Sequence, residues 1–334
     1  MIYPWLQEPL ARLMQRPPAQ ALLLSGPRGI GLSQFARQVA QALFCARPQA
    51  QGLGCGTCTP CQWFGAATHP DYRLLEPESA AAPPGVEGAS PAGLSDSPRA
   101  SPGSAWITVD QVRELSDFLV LSTHQQGYRV LVVDPAEALN PNAANALLKV
   151  LEEPRPGTVF LLVSHHPARV PATILSRCQS FKLALPPTPV ALAWLQAQAV
   201  AAPEQLLALA GQAPLEAQRL ALQEQGVRTA WLEHLVAGQL TLIQLSEHTA
   251  KLPLSDWLDW LQRWVFDLIE FKILGQARYH LALSSSLARM SERLSLFDLL
   301  AWEKSLREAR RLMHHPLNPR LLAEHLLLPC FSTA

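Results

Sequence analysis

Apolar and polar positions come in blocks along this chain. Residues 21–25 are a short apolar run without polar alternation, as in a strand buried on both faces of a parallel sheet. Behind it Phe35, Val39 and Leu43 recur every four residues, a helical stripe. Residues 130–133 and 160–163 are two further runs of the strand type. Between and after them lie two helical faces. Val109, Val112, Leu115, Phe118 and Leu119 form one, opened by a capping box at Thr108 and Gln111. Ala144, Leu147, Leu148 and Leu151 form the other, stopped by Pro154. A helix is expected over 5–16, between Pro4 and the Pro17-Pro18 pair. Apolar strands alternating with helices predict an α/β domain built on a parallel sheet.

The pattern changes at Pro186, Pro187 and Pro189, and helical spacing then continues to residue 334. Leu206, Leu207 and Leu209 belong to a small helical module. Trp257, Trp260, Leu261 and Trp264 share one helical face, and Leu296, Leu299, Leu300 and Leu306 another. Such stripes serve a domain core or a subunit interface. Arg307, Arg310, Arg311, His314 and His315 gather at a helix end before Pro316. They suit either the helix C-terminal dipole or a nucleic-acid phosphate. Residues 76–105 are rich in Ala, Pro, Ser and Gly, with few large apolar side chains to offset ordering entropy. A mobile insertion is expected over 77–104.

Composition narrows the class. The chain has 334 residues, 49% apolar and only 16% charged, with zero formal net charge. That balance disfavours a protein that wraps nucleic acid by bulk charge, or a polybasic membrane binder. No apolar run approaches ~18 residues, and residues 1–10 lack the basic and apolar regions of a signal peptide. A cytoplasmic chain is expected. Its six cysteines are then thiols or metal ligands rather than disulfides.

The candidate chemistry starts at residues 26–33, Gly-Pro-Arg-Gly-Ile-Gly-Leu-Ser, between the first strand and its helix. This is the outline of a phosphate-binding P-loop, carried by Gly26, Gly29, Gly31, Leu32 and Ser33. A working loop cradles phosphates with backbone N–H groups and meets them with a lysine ammonium. Leu32 holds the lysine position and supplies neither charge nor donor. Asp134 ends the second apolar strand, where a Walker B aspartate helps hold magnesium. The water-orienting glutamate expected next is replaced by Pro135, and Glu137 stands displaced along the chain. Ser164-His165-His166 ends the third strand at the place of a γ-phosphate sensor. Two hydrolytic positions are thus lost independently.

Cys45, Cys55, Cys58 and Cys61 make a compact thiol group, the last three as interlocked C-x-x-C turns. Four thiolates complete a tetrahedral zinc shell with bonds of about 2.3 Å. A structural zinc is expected, with no open catalytic position. A redox C-x-x-C pair is the rival, though it needs only two thiols. His69 is a possible substitute ligand, and Cys178 is far off in sequence.

Taken together, these segments resemble the bacterial DNA polymerase III clamp-loader family of AAA+ proteins. The likeness rests on the cysteine group, on His69-Pro70-Asp71-Tyr72, on residues 144–154 (Ala-Asn-Ala-Leu-Leu-Lys-Val-Leu-Glu-Glu-Pro) and on Ile174-Leu175-Ser176-Arg177-Cys178. It covers residues 21–183 closely and the helical remainder loosely. The motor subunits of that family keep the P-loop lysine and an Asp-Glu pair, and this chain keeps neither. It is similar to the delta-prime branch, the non-hydrolysing one, and its Tyr3-Pro4-Trp5-Leu6 start agrees.

The resemblance implies a degenerate AAA+ domain over 1–166 carrying the zinc module, a small helical lid over 167–206, and a C-terminal helical collar over 207–334. It implies a heteropentamer with gamma/tau motor subunits and a delta subunit, which loads a sliding clamp on primer–template DNA. ATP is not hydrolysed by such a chain. Arg177 would act as an arginine finger, reaching the ATP site of a neighbouring motor subunit. Two rival readings stay open. One is an active ATPase using Arg28 or Lys149 as its cation. The other is a zinc-dependent nucleic-acid-binding module.

Overall fold

The computed structural model describes residues 2–49, 51–78, 104–120, 127–222, 225–237, 240–313 and 318–331. Most of the insertion expected over 77–104 therefore lies outside the described residues, as do His314 and His315. The chain divides into two compact units, Met1–Pro187 and Thr188–Ala334.

The first unit holds, in order, α1 (Gln7–Met14), β1 (Ala21–Ser25), α2 (Leu32–Phe44), α3 (Thr59–Gly65), β2 (Tyr72–Leu75), α4 (Val109–Val120), β3 (Arg129–Val133), α5 (Pro141–Glu152), β4 (Thr158–Ser164), α6 (Ala172–Leu175) and β5 (Gln179–Lys182). Its five strands form one parallel sheet in the order β2-β3-β4-β1-β5. The central strands β1, β3 and β4 are buried along their whole length, as their unbroken apolar sequences require. Helices cover both faces. Leu22, Leu24, Phe35, Val39 and Leu161 belong to one core, and Leu131, Phe160, Leu162, Val112 and Leu147 to the other.

Local signals set the helix starts. Gln111 and Thr108 reciprocate as the capping box predicts, with Thr108 N–H donating to Gln111 Oε1 at 2.8 Å. Asn140 Oδ1 accepts from Ala143 N–H at 2.7 Å, and Pro141 opens α5. The helix expected over 5–16 begins instead as a 3-10 turn, Pro4–Leu6, before α1. β5 pairs along β1, so the sheet unit continues beyond residue 166 to Pro187.

The second unit is all helical. α7 (Thr188–Ala197), α8 (Pro203–Leu209) and α9 (Pro214–Leu222) share a small core of Ala191, Leu195, Leu206, Leu207 and Leu220. α10 (Gln225–Ala237), α11 (Leu242–Thr249), α12 (Leu254–Leu274), α13 (Ser284–Arg293), α14 (Leu296–Arg311) and α15 (Pro319–Phe331) surround a larger one. Trp257, Leu261 and Trp264 lie inside that core, so this stripe is not an exposed interface. The leucine face of α14 splits. Leu299 and Leu306 are buried, whereas Leu296 and Leu300 stay exposed beside Phe297. Arg307 and Arg310 of the basic cluster pair within the protein, with Glu303 and Asp259. No helix among the described residues is long and apolar enough to cross a membrane.

Candidate functional site

The C-terminal ends of β1, β3 and β4 converge, which is where open parallel sheets place their ligands. Gly31 caps α2 with φ of +89°, a left-handed conformation suited to glycine. A Cβ there would lie 2.7 Å from the Tyr3 ring. Tyr3 stacks on Trp5 with centroids 5.1 Å apart, and Trp5 Nε1 donates to the Ile30 carbonyl at 2.9 Å. The turn around Pro4 is therefore seated on the glycine loop.

Leu32 is 1% exposed and belongs to the apolar core under α2. The lysine position thus faces packing atoms instead of carrying charge. The Ser33 side chain lies near the Asp134 carboxyl and favours its charged form, as in a Walker arrangement. Burial pushes the Asp134 carboxyl up from its ordinary range, opposed by Ser33 and His165 and assisted by Glu137. Glu137, displaced in sequence, returns in space. Its Oε1 accepts from His165 N–H at 3.1 Å, and its Oε2 is buried without a partner. His165 Nδ1 lies 3.3 Å from the Gly26 carbonyl. Burial, then the charges of Arg169 and Arg28, lowers His166. The structure so gathers Gly26, Ser33, Asp134, Glu137 and His165, and buries Leu32 beneath them.

The cysteine group assembles as the spacing predicts. One ligand atom from each of Cys45, Cys55, Cys58 and Cys61 lies within 4.8 Å of the others. A zinc tetrahedron with bonds of about 2.3 Å has edges of roughly 3.8 Å, and Cys45 and Cys58 Sγ are 3.9 Å apart. Gly56, at φ of +75°, turns the chain between Cys55 and Cys58. Backbone N–H groups of Cys55 and Cys58 donate to Cys45 and Cys55 sulfurs at 3.2 and 3.4 Å. These donors favour thiolates. Hydrogen bonds from Thr57 and from backbone N–H groups lower Cys55 to about 5, while burial raises Cys61 to about 12. The donor set fits zinc. His69 stands apart, stacked on Phe44 at 3.8 Å with Nδ1 accepting from Asp71 N–H. Cys178 is outside the group, its thiol raised to about 11 by burial.

Arg177 follows the short α6 turn on the surface of the same unit. Its Nη1 donates to the Thr173 carbonyl at 2.9 Å, and its Nη2 to Glu152 Oε1 at 2.5 Å. Glu152, Tyr3 and Trp5 are the residues whose part in these sites the sequence reading missed. The only advance signal was their place inside segments singled out for other reasons.

A gamma-subunit-related protein of Thermotoga maritima superposes with a TM-score of 0.48 at 16% identity, over 96% of this chain and 97% of its own. The family model described as DNA polymerase III, delta subunit, matches residues 7–187. DNA polymerase III subunit delta' of Pseudomonas aeruginosa is 40% identical over 81% of this chain and 78% of its own length. That of Haemophilus influenzae is 30% identical over 92% and 90%. With a five-stranded parallel sheet, a four-cysteine module and these relatives, the chain belongs to the DNA polymerase III delta-prime subunit family.

Proposed function

We propose that this chain is the non-hydrolysing, stator-like subunit of a bacterial clamp loader. It assembles with gamma/tau motor subunits and a delta subunit in a heteropentamer that places a sliding clamp on primer–template DNA. The expected lid boundary at residue 206 falls inside α8, so the lid is extended to the small core of α7–α9, and α10–α15 act as the collar. The part in DNA polymerase III is that of an assembly component, and nucleotidyl transfer belongs to other chains.

The observation that carries this reading is a contrast between two residues. Leu32, at the position of the phosphate-binding lysine, is 1% exposed, while the Arg177 side chain is 37% exposed. One site has lost its cation to the core, and the other presents a cation outward. A guanidinium keeps its charge at neutral pH, and its fork matches phosphate oxygens. Delivered from a neighbouring chain, it stabilises γ-phosphate charge in the transition state. Hydrolysis is then contingent on a closed interface. Zinc would be held by Cys45, Cys55, Cys58 and Cys61 and would staple the end of α2 to α3.

The rival, an active ATPase, draws on one observation. Asp134, Glu137 and Ser33 still meet at the glycine loop. DNA-dependent ATP turnover of the reconstituted loader, with this chain or its Arg177→Ala form, separates the two. The stator reading expects no turnover by the chain alone and a large fall with the variant while assembly persists. Turnover by the isolated chain would overturn it.

A further inference from the structure

The second unit contains a cavity of about 540 Å³ that the clamp-loader reading does not use. Leu206 on α8 and Leu232 and Val236 on α10 supply its apolar wall. Arg228, His280 and Arg289 also line it, with Glu233 as the acidic residue on the lining. The volume is that of an ordinary small-molecule site, and an apolar wall with a few converging polar groups is its usual construction.

The polar side is built rather than incidental. Asp267 on α12 is fully buried and accepts from the backbone N–H groups of Arg278, Tyr279 and His280 at 2.9, 2.9 and 2.7 Å. It also holds His280 Nδ1 at 2.8 Å. Nδ1 faces a carboxylate, so it carries a proton, and the ring is fixed in orientation. His280 is 7% exposed, and its Nε2 is buried without a partner. Nearby, Arg228 Nε is likewise buried without a partner. Burial, with repulsion from Arg263, lowers Arg228 to about 10, so it is charged at neutral pH. Neither Arg228 nor Arg289 joins an ion pair among the described residues. Two arginines without an ion pair among the described residues, set beside an apolar wall, define a complementary ligand.

We propose that this cavity binds a small amphipathic anion, an apolar body of roughly ten heavy atoms headed by a carboxylate or phosphate that meets Arg228. The apolar body displaces water from the leucine wall. The head group supplies an acceptor to Arg228.

Calorimetric titration of the full chain with decanoate, decyl phosphate and decan-1-ol tests this. One or both anions should bind one to one, with decan-1-ol at least about tenfold weaker. The two anion arms distinguish a carboxylate from a phosphate head. Arg228→Gln should weaken the anion about tenfold by removing charge, and Val236→Trp by filling the cavity. Equal binding of all three probes, binding unchanged in both variants, or no binding by any probe up to about 1 mM would overturn the proposal. If a variant fails to fold, crystals of the unaltered chain with decanoate and with decyl phosphate decide. A head group against Arg228 supports the site, and density elsewhere or none at all overturns it.

Discussion

Arg177 Nη2 lies 2.5 Å from Glu152 Oε1, so the guanidinium beyond α6 rests on the last residue of α5. Both side chains are more than a third exposed, at 37% and 49%. Such a pair contributes little stability, about 0–1 kcal/mol, and its guanidinium exchanges partners at low cost. Arg177→Ala should therefore leave folding and assembly intact and lower DNA-dependent turnover at the site it serves by roughly 10³-fold or more. Glu152→Gln should leave turnover within about twofold. Phosphate-release kinetics and size-exclusion profiles of reconstituted loaders check both. A loader indifferent to Arg177→Ala would remove the finger from the account.

Leu32→Lys restores the P-loop motif on paper. Here the position is packed into the core beneath the loop, so the variant should lose stability by about 2 kcal/mol or more from a desolvated ammonium and displaced packing. Turnover by the isolated chain should stay at background, because Pro135 still stands where a glutamate would orient water. Chemical denaturation and an ATPase assay on the purified variant give the two readouts.

Metal analysis should find one zinc per chain, released by a strong chelator. Cys61, 2% exposed, is the most deeply placed of the four thiols. Cys61→Ser should abolish zinc retention and lower the melting temperature of the first unit by several degrees. Retention of zinc by that variant would point to another ligand, with His69 the nearest alternative in sequence.

Asp267 gives the second unit a pH signature. Burial alone would raise its carboxyl, but hydrogen bonds from His280 and from the N–H groups of residues 278–280 outweigh this and hold it below its ordinary 3.8. A carboxylate with a lowered folded-state pKa adds stability that is complete above its unfolded value. That stability is lost as pH falls through the folded one. Asp267→Asn should cost about 3 kcal/mol near pH 7. The gap to the unaltered chain should close as pH falls below about 4. Urea melts across pH 3–7 measure it. A gap independent of pH would mean that packing, not charge, is what the substitution removes.

The central sheet was legible because β1, β3 and β4 are buried on both faces and so read as continuous apolar runs. β2 and β5 were not, because Arg73, Gln179, Ser180 and Lys182 break any such run. The thiol group was legible because its ligands are local in sequence. The tryptophans of α12 gave a helical face, but periodicity alone does not tell a domain's own core from an interface. Contacts between distant segments left no trace. Nothing in the sequence announces that Tyr3 packs on Gly31, that Glu152 meets Arg177, or that Glu137 reaches His165. The α14 leucines misled because one helical stripe spans a buried and an exposed half.

The polar residues that hid the outer strands have a consequence for the sheet's growth. An edge strand offers unpaired N–H and C=O groups to any passing strand, and a flat apolar edge invites aggregation. At one edge, β5 is four residues long and presents Gln179, Ser180 and Lys182 to solvent. At the other, β2 is equally short, and Arg73 folds its guanidinium over the Phe118 ring at 4.5 Å. Both ends are brief and charged, so a further strand from a second molecule would gain few backbone bonds and would desolvate a cation. The sheet is thus self-terminating, and a chain with so apolar a composition keeps its β structure from becoming a template for fibrils.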